Sequence, residues 1–252
     1  MFVPEVGVPL KIALALAPDL ARLGVYQIDA VFKAALLDQI QATSGIKILA
    51  EDGNLTSVRT GTNLYVGVID SGASSYSLSF ENSSALGGAT KVTFVGNDAI
   101  NSVDIELNSI SSVEVFAKGG DETIVVTSNG GIIPETTHIN ATTGTKIVTV
   151  EGQKIVYEGS SDVDLVTVKL SGYSTNISTN AGDDVVNLIA TRGDSGDSIT
   201  IDTGIGDDTI IIGDVGAAKD VLKGGDGNDL IIGGGGKDIL VGGNGTDTLK
   251  GG

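Results

Sequence analysis

The sequence predicts a mostly β chain: a right-handed parallel β-helix/β-roll solenoid with an N-terminal α-helical segment. Three observations carry this. The last thirty residues or so run in nine-residue units of the form G-G-x-G-x-D-x-U-x, where U is a large aliphatic residue. Upstream, a Gly-x-x turn leading into a strand returns about every twenty residues. Apolar residues at helical spacing occur near the start, in residues 19–41.

The helical stretch, DLARLGVYQIDAVFKAALLDQIQ, sets Leu20, Leu23, Ile28, Val31, Phe32, Ala35, Leu36 and Ile40 on one face after the start signal Pro18–Asp19. Ser44 and Gly45 close it. Its apolar face must be buried, so residues 1–45 read as a helical cap on the open end of a coil, or as an anchoring or assembly segment. The opening MFVPEVGVPLKIALALAP holds too short an apolar run after Lys11 for a signal peptide and reads as mature protein. No stretch approaches the roughly twenty apolar residues that span a bilayer.

Residues 46–214 hold short runs rich in Val, Ile, Thr and Ser, from Lys47–Leu49 to Val185–Leu188, each bounded by turn residues. The turns GND (96–98), GDE (120–122), GTK (144–146), DVD (162–164), GDD (182–184) and GDD (206–208) lead to GND at 227–229, in steps of 24, 24, 18, 20, 24 and 21 residues. That spacing predicts an irregular parallel β-helix, with earlier copies near Gly53 and Gly72. Lys146, in the sixth place of its turn, rules out calcium ligation there. Asp183, Asp184 and Asp207 read as solvated turn acids.

Residues 215–252 are the regular part. Glycine at places one, two and four lets the backbone enter left-handed conformations and fold its carbonyl oxygens toward one point. The sixth-place carboxylates of Asp229, Asp238 and Asp247 add to that oxygen cage, which suits a hard cation taking six to eight oxygens, Ca2+. The U residues Ile231, Leu240 and Leu249 point into a core. Two units make one turn of a coil, setting Asp229 over Asp247 on one edge and Asp238 over Asp220 on the other. Residues 215–223, VGAAKDVLK, are a worn copy that keeps the second Gly, the Asp and the U residue Leu222.

This run resembles the RTX nonapeptide repeats of secreted bacterial proteins, which form a parallel β-roll with calcium held between successive turns. The resemblance implies a protein exported from a Gram-negative cell that folds on meeting external calcium. Carried over residue by residue, it implies Asp220, Asp229, Asp238 and Asp247 as side-chain ligands, with turn oxygens near Gly224, Asp226, Asn228, Gly233, Gly235, Gly242 and Asn244. Asp208, nearest the repeats, is counted with them.

Charge and composition agree. The chain has 252 residues and a net charge of −17, much of it in Gly-Asp turns where carboxylates repel unless a cation neutralises them. With 15 Lys and Arg spread along it, nucleic acid is not the expected partner. The chain has no cysteine, so it can hold no disulfide, and calcium would be the staple in its place.

Several motifs point elsewhere and do not hold. Gly193-Asp194-Ser195-Gly196 resembles a serine-protease nucleophile segment, but His138 is the single histidine and sits in coil sequence. It also excludes the H-E-x-x-H zinc motif. Arg192-Gly193-Asp194 reads as a turn, and Gly233–Lys237 fits the nonapeptide register better than a phosphate loop. In outline the chain resembles mannuronan epimerases and polysaccharide lyases, yet it offers no Tyr, His, Asp and Arg cluster to abstract a sugar proton. The expected protein is therefore not an enzyme. It is a secreted, calcium-dependent structural protein of the cell surface or matrix that self-associates into a layer, filament or adhesive coat and meets a cell-surface polysaccharide. The alternative is the calcium-driven folding and secretion module of a longer toxin, adhesin or polysaccharide-modifying enzyme.

Overall fold

In the computed structural model the chain is a mostly β, parallel solenoid. The structure describes residues 46–51, 55–60, 63–68, 74–83, 89–95, 100–105, 111–117, 120–129, 134–190, 198–213 and 219–252. The amphipathic stretch 19–41, the turns placed near Gly53 and Gly72, and the Arg192–Gly196 motifs lie outside them. Among the described residues no helix is long and apolar enough to cross a membrane.

The chain enters through β1 (Ile46–Glu51), β2 (Leu55–Thr60), β3 (Asn63–Val68), β4 (Ser74–Ser83), β5 (Ala89–Val95) and β6 (Ile100–Ile105). Here β2 pairs antiparallel with β3, β4 with β5 and β5 with β6. The turn spacing predicts parallel coil throughout; the GND turn at 96–98 lies outside the described residues, and the strands that flank it, β5 and β6, instead pair antiparallel. A tight turn can reverse the chain onto the strand it has just left as well as pass it to the other face, and consecutive strands so reversed can pair only antiparallel. β3 and β4 still belong to the coil, pairing parallel with β7 (Ser112–Ala117) and β8 (Glu122–Asn129).

From β7 onward the pairings are parallel. β9 (Thr136–Ala141), β10 (Lys146–Glu158), β11 (Asp164–Ser178), β12 (Val185–Ala190), β13 (Ser198–Ile205), β14 (Thr209–Ile212), β15 (Val221–Asp226), β16 (Leu230–Ile232), β17 (Ile239–Asn244) and β18 (Thr248–Lys250) stack turn upon turn. One face runs β4, β8, the first half of β10, the first half of β11, β12, β14, β16, β18. The other runs β3, β7, β9, the second halves of β10 and β11, β13, β15, β17. β10 and β11 turn the corner between faces, and their register slips between Gly152 and Lys154. A Cβ at Gly172 would lie 2.5 Å from Gln153 Cα, so the stacked corners leave no room for a side chain.

Alternation, broken only at the Gln153–Lys154 corner of β10, makes the core there. Along KIVTVEGQKIVYE, Val148, Val150, Ile155 and Tyr157 are buried while Ile147 and Lys154 face out. Stacking in register turns alternation into columns: Val150, Val168, Leu188 and Ile212 on one face, Tyr157, Ile177, Ile201 and Leu222 on the other. Each such side chain contributes about 1.5–3 kcal/mol of burial. Leu249, in the last U place, is exposed.

Leu188→Ala should lower stability by about 2–5 kcal/mol. Outward-facing Ile189→Ala should stay within about 0.5 kcal/mol of the parent. Urea unfolding in saturating calcium checks both.

Candidate metal centre

Asp184, Asp208, Asp229, Asp238 and Asp247 each cap the turn that precedes them. The Asp164 N–H donates to Asp184 Oδ1 at 2.7 Å, Asp184 to Asp208 at 2.8 Å, Asp208 to Asp229 at 2.9 Å and Asp229 to Asp247 at 3.1 Å. On the opposite edge Asp220 N–H donates to Asp238 Oδ1 at 3.2 Å. These bonds span 20, 24, 21, 18 and 18 residues, so one column stays aligned while the turns differ in length. The two edges fall where the nonapeptide register places them.

The second carboxylate oxygen folds back over its own turn. A Cβ at Gly224 would lie 2.0 Å from Asp229 Oδ2, and one at Gly242 would lie 2.1 Å from Asp247 Oδ2. First-place glycine is therefore a space requirement. At place two the requirement is conformational: Gly204 has φ +100°, and in the preceding turn Asn180 holds the left-handed region at φ 74°. Its side chain donates to Gly159 O at 2.9 Å.

Asp164, Asp184, Asp208, Asp220 and Asp229 are buried. Oδ2 of Asp184, Asp208 and Asp229 is buried with no donor aimed at it: the hydroxyls of Thr179 and Thr203 lie beside Asp184 and Asp208 and ease their charge, but donate their protons to Thr203 O at 3.1 Å and Gly224 O at 3.0 Å. A buried carboxylate oxygen in that condition is destabilising unless a cation meets it. Burial raises Asp164 to about 6 and Asp184 to about 7, and pushes Asp208 and Asp229 up as well, with neighbouring aspartates adding to the rise at the last three. Among the described residues no group of three Asp, Glu or His side chains converges on one point, so main-chain oxygens must complete any ion's shell. Calcium accepts carbonyl and carboxylate oxygens in loose geometry, and the residues fit it.

Other candidates fall outside the column. Asp183, Asp207, Asp226, Asn228 and Asn244 are exposed and link the rims of successive turns: Asp183 Oδ1 accepts Asp207 N–H, Asp207 Oδ1 accepts Asn228 N–H, and Asn228 Oδ1 accepts Thr246 N–H. Asp226 Oδ1 accepts Asn244 Nδ2 at 2.7 Å. The side-chain oxygen of Asn228 thus serves the outer rim. Gly233 and Gly242 are buried, and Gly235 lies in the turn before Asp238. Asp184 is buried within the column, not a solvated turn acid. Its signal in sequence is the GDD turn, whose second Asp takes the same place as Asp208. His138 lies in β9, with Nε2 3.7 Å from Glu158 Oε1.

Residues 214–249 match the family model of the RTX calcium-binding nonapeptide repeat, in four copies. The matched length takes in the worn unit around Asp220. No curated protein and no solved structure matches the chain.

These carboxylates titrate higher in the fold than in the unfolded chain, so the metal-free fold binds more protons and its stability falls as pH rises. In chelator, that contribution should be fullest below about pH 4 and should decline until pH passes about 7. Calcium should abolish the decline, as urea midpoints from pH 4.5 to 8 with and without it will register. Gly224→Ala should raise the calcium concentration for half-folding, read by circular dichroism.

Proposed function

We propose that this calcium-binding RTX solenoid is a secreted structural protein of the cell surface or extracellular matrix, self-associating once calcium has folded it. The observation that carries the reading is an apolar stripe on the outside of the coil. Ile147, Leu165 and Val185 stand beside one another in the register of β10, β11 and β12, and are 46%, 39% and 36% exposed. Ile239 and Val241 are exposed on the other face. A row of outward aliphatic residues, repeated at the spacing of the strands, suits a second copy stacked alongside.

Calcium is the switch in this reading. Removing the charge of the column from a chain of net charge −17 lets like molecules approach. In this reading the protein is exported from a Gram-negative cell, where calcium is scarce inside and plentiful outside, which the kind of repeat supports, and a cell-surface polysaccharide is the partner for an adhesive coat. The role in this reading is structural, not enzymatic. The confinement of the repeats to 214–249 supports a second reading, a calcium-driven folding and secretion module of a larger toxin, adhesin or polysaccharide-modifying enzyme.

Calcium titrated into chelator-treated protein should bring up β-structure by circular dichroism and large species by sedimentation velocity together. Leu165→Ser should leave the first and weaken the second. Folding to a monomer at all concentrations would favour the module.

A further inference from the structure

The column of sixth-place residues continues below Asp164. Lys146 stands beside Asp164 in the register of β10 and β11, and Glu122 beside Lys146 in that of β8 and β10. Both side chains are buried, and Lys146 Nζ lies 2.5 Å from Glu122 Oε2. The ammonium also donates to the carbonyl oxygens of Gly120 at 2.7 Å, of Gly144 at 3.1 Å, and of Thr143. Gly120 belongs to the preceding turn, whereas Thr143 and Gly144 belong to the turn of Lys146 itself. One positive charge thus bridges two turns through main-chain oxygens and a carboxylate. Thr143 holds the third place of its unit, as Asp226, Gly235 and Asn244 do in the repeats.

The next turn is satisfied from within. Asp164 Oδ2 accepts the Ser160 N–H at 3.0 Å, and Oδ1 accepts the Ser160 hydroxyl at 3.3 Å. At Asp184 this changes: Oδ2 is buried with no donor aimed at it, the neighbouring Thr179 hydroxyl giving its proton to Thr203 O, and the same holds at Asp208, whose neighbour Thr203 donates to Gly224 O, and at Asp229. The change from turns that supply their own partners to turns that need a cation falls between Asp164 and Asp184, well upstream of residue 214.

We propose that the calcium column extends beyond the matched repeats through Asp208 to Asp184, and that it ends against turns whose cation is the Lys146 ammonium. The chain then holds two coils in series, a metal-free one that folds by itself and a metal-dependent one wound on top of it. A lysine suits the terminal position because an ammonium offers donors to several oxygens, as a calcium ion offers coordination to them, yet cannot dissociate from the chain. The inference stands on calcium binding alone and is independent of whether the protein assembles.

Hydrogen exchange read by mass spectrometry on the full chain, in chelator and in calcium, tests it. Peptides within 122–170 should stay protected in chelator, and those within 184–250 should gain protection only with calcium. Asp184→Asn should cost about one bound calcium per chain while leaving protection of 122–158 in chelator unchanged. Lys146→Met should abolish that chelator-resistant protection, and adding Glu122→Gln, which removes the stranded charge, should restore part of it. The proposal is overturned if the Asp184 and Asp208 turns stay protected in chelator with the boundary at 214. Loss of all protection in chelator, or an unchanged calcium count in Asp184→Asn, would overturn it equally.

Discussion

Everything in the described coil hangs on a carboxylate that faces two ways. From Asp184 onward, one oxygen of Asp184, Asp208, Asp229, Asp238 and Asp247 takes the main-chain N–H of the turn before it, and in the repeats the other is turned inward over its own loop. The first contact sets the pitch and holds neighbouring turns in register. The second creates a buried negative site that side chains alone do not fill. Hydrophobic columns supply most of the cohesion and forbid a one-residue slip, but a two-residue slip would keep their side chains inward, and it is this polar column that resists it. Calcium binding is thus a property of how the turns are stacked, not of any one turn.

Much of this was legible in sequence because the sixth place is written in small residues around it. The Gly-x-x turns at 120, 144, 182, 206 and 227, with DVD at 162, mark out the same separations as the hydrogen bonds of the column. The two edges of the repeat region were also readable, since a nine-residue period alternates them. The burial of Asp184 was less so. GDD offers two acids side by side, and only the stacking reveals that Asp183 faces solvent while Asp184 is enclosed.

The strands of the second face were the harder part. β9, TTHINA, alternates Thr, His and Asn outward against Thr, Ile and Ala inward, and little in that composition marks a strand until neighbours pair with it on both sides. The hairpins at the start were missed for a different reason. A Gly-Asn-Asp turn serves a hairpin and a coil corner alike, and what separates them is whether the chain reverses onto the strand just left or passes to the other face, which neither the residues nor the length of the connection fixes.

The unequal steps have a consequence for what this architecture can carry. A coil whose successive bonds span 18, 20, 21 or 24 residues without a break in the column measures position, not contour length. Extra residues are let out at the corners, as the two-strand excursion of β5 and β6 between β4 and β7 does on a larger scale. The corners are therefore natural splice points. A lineage, or an engineer, can graft a recognition loop or a folded ornament there and leave the ion-bearing spine untouched.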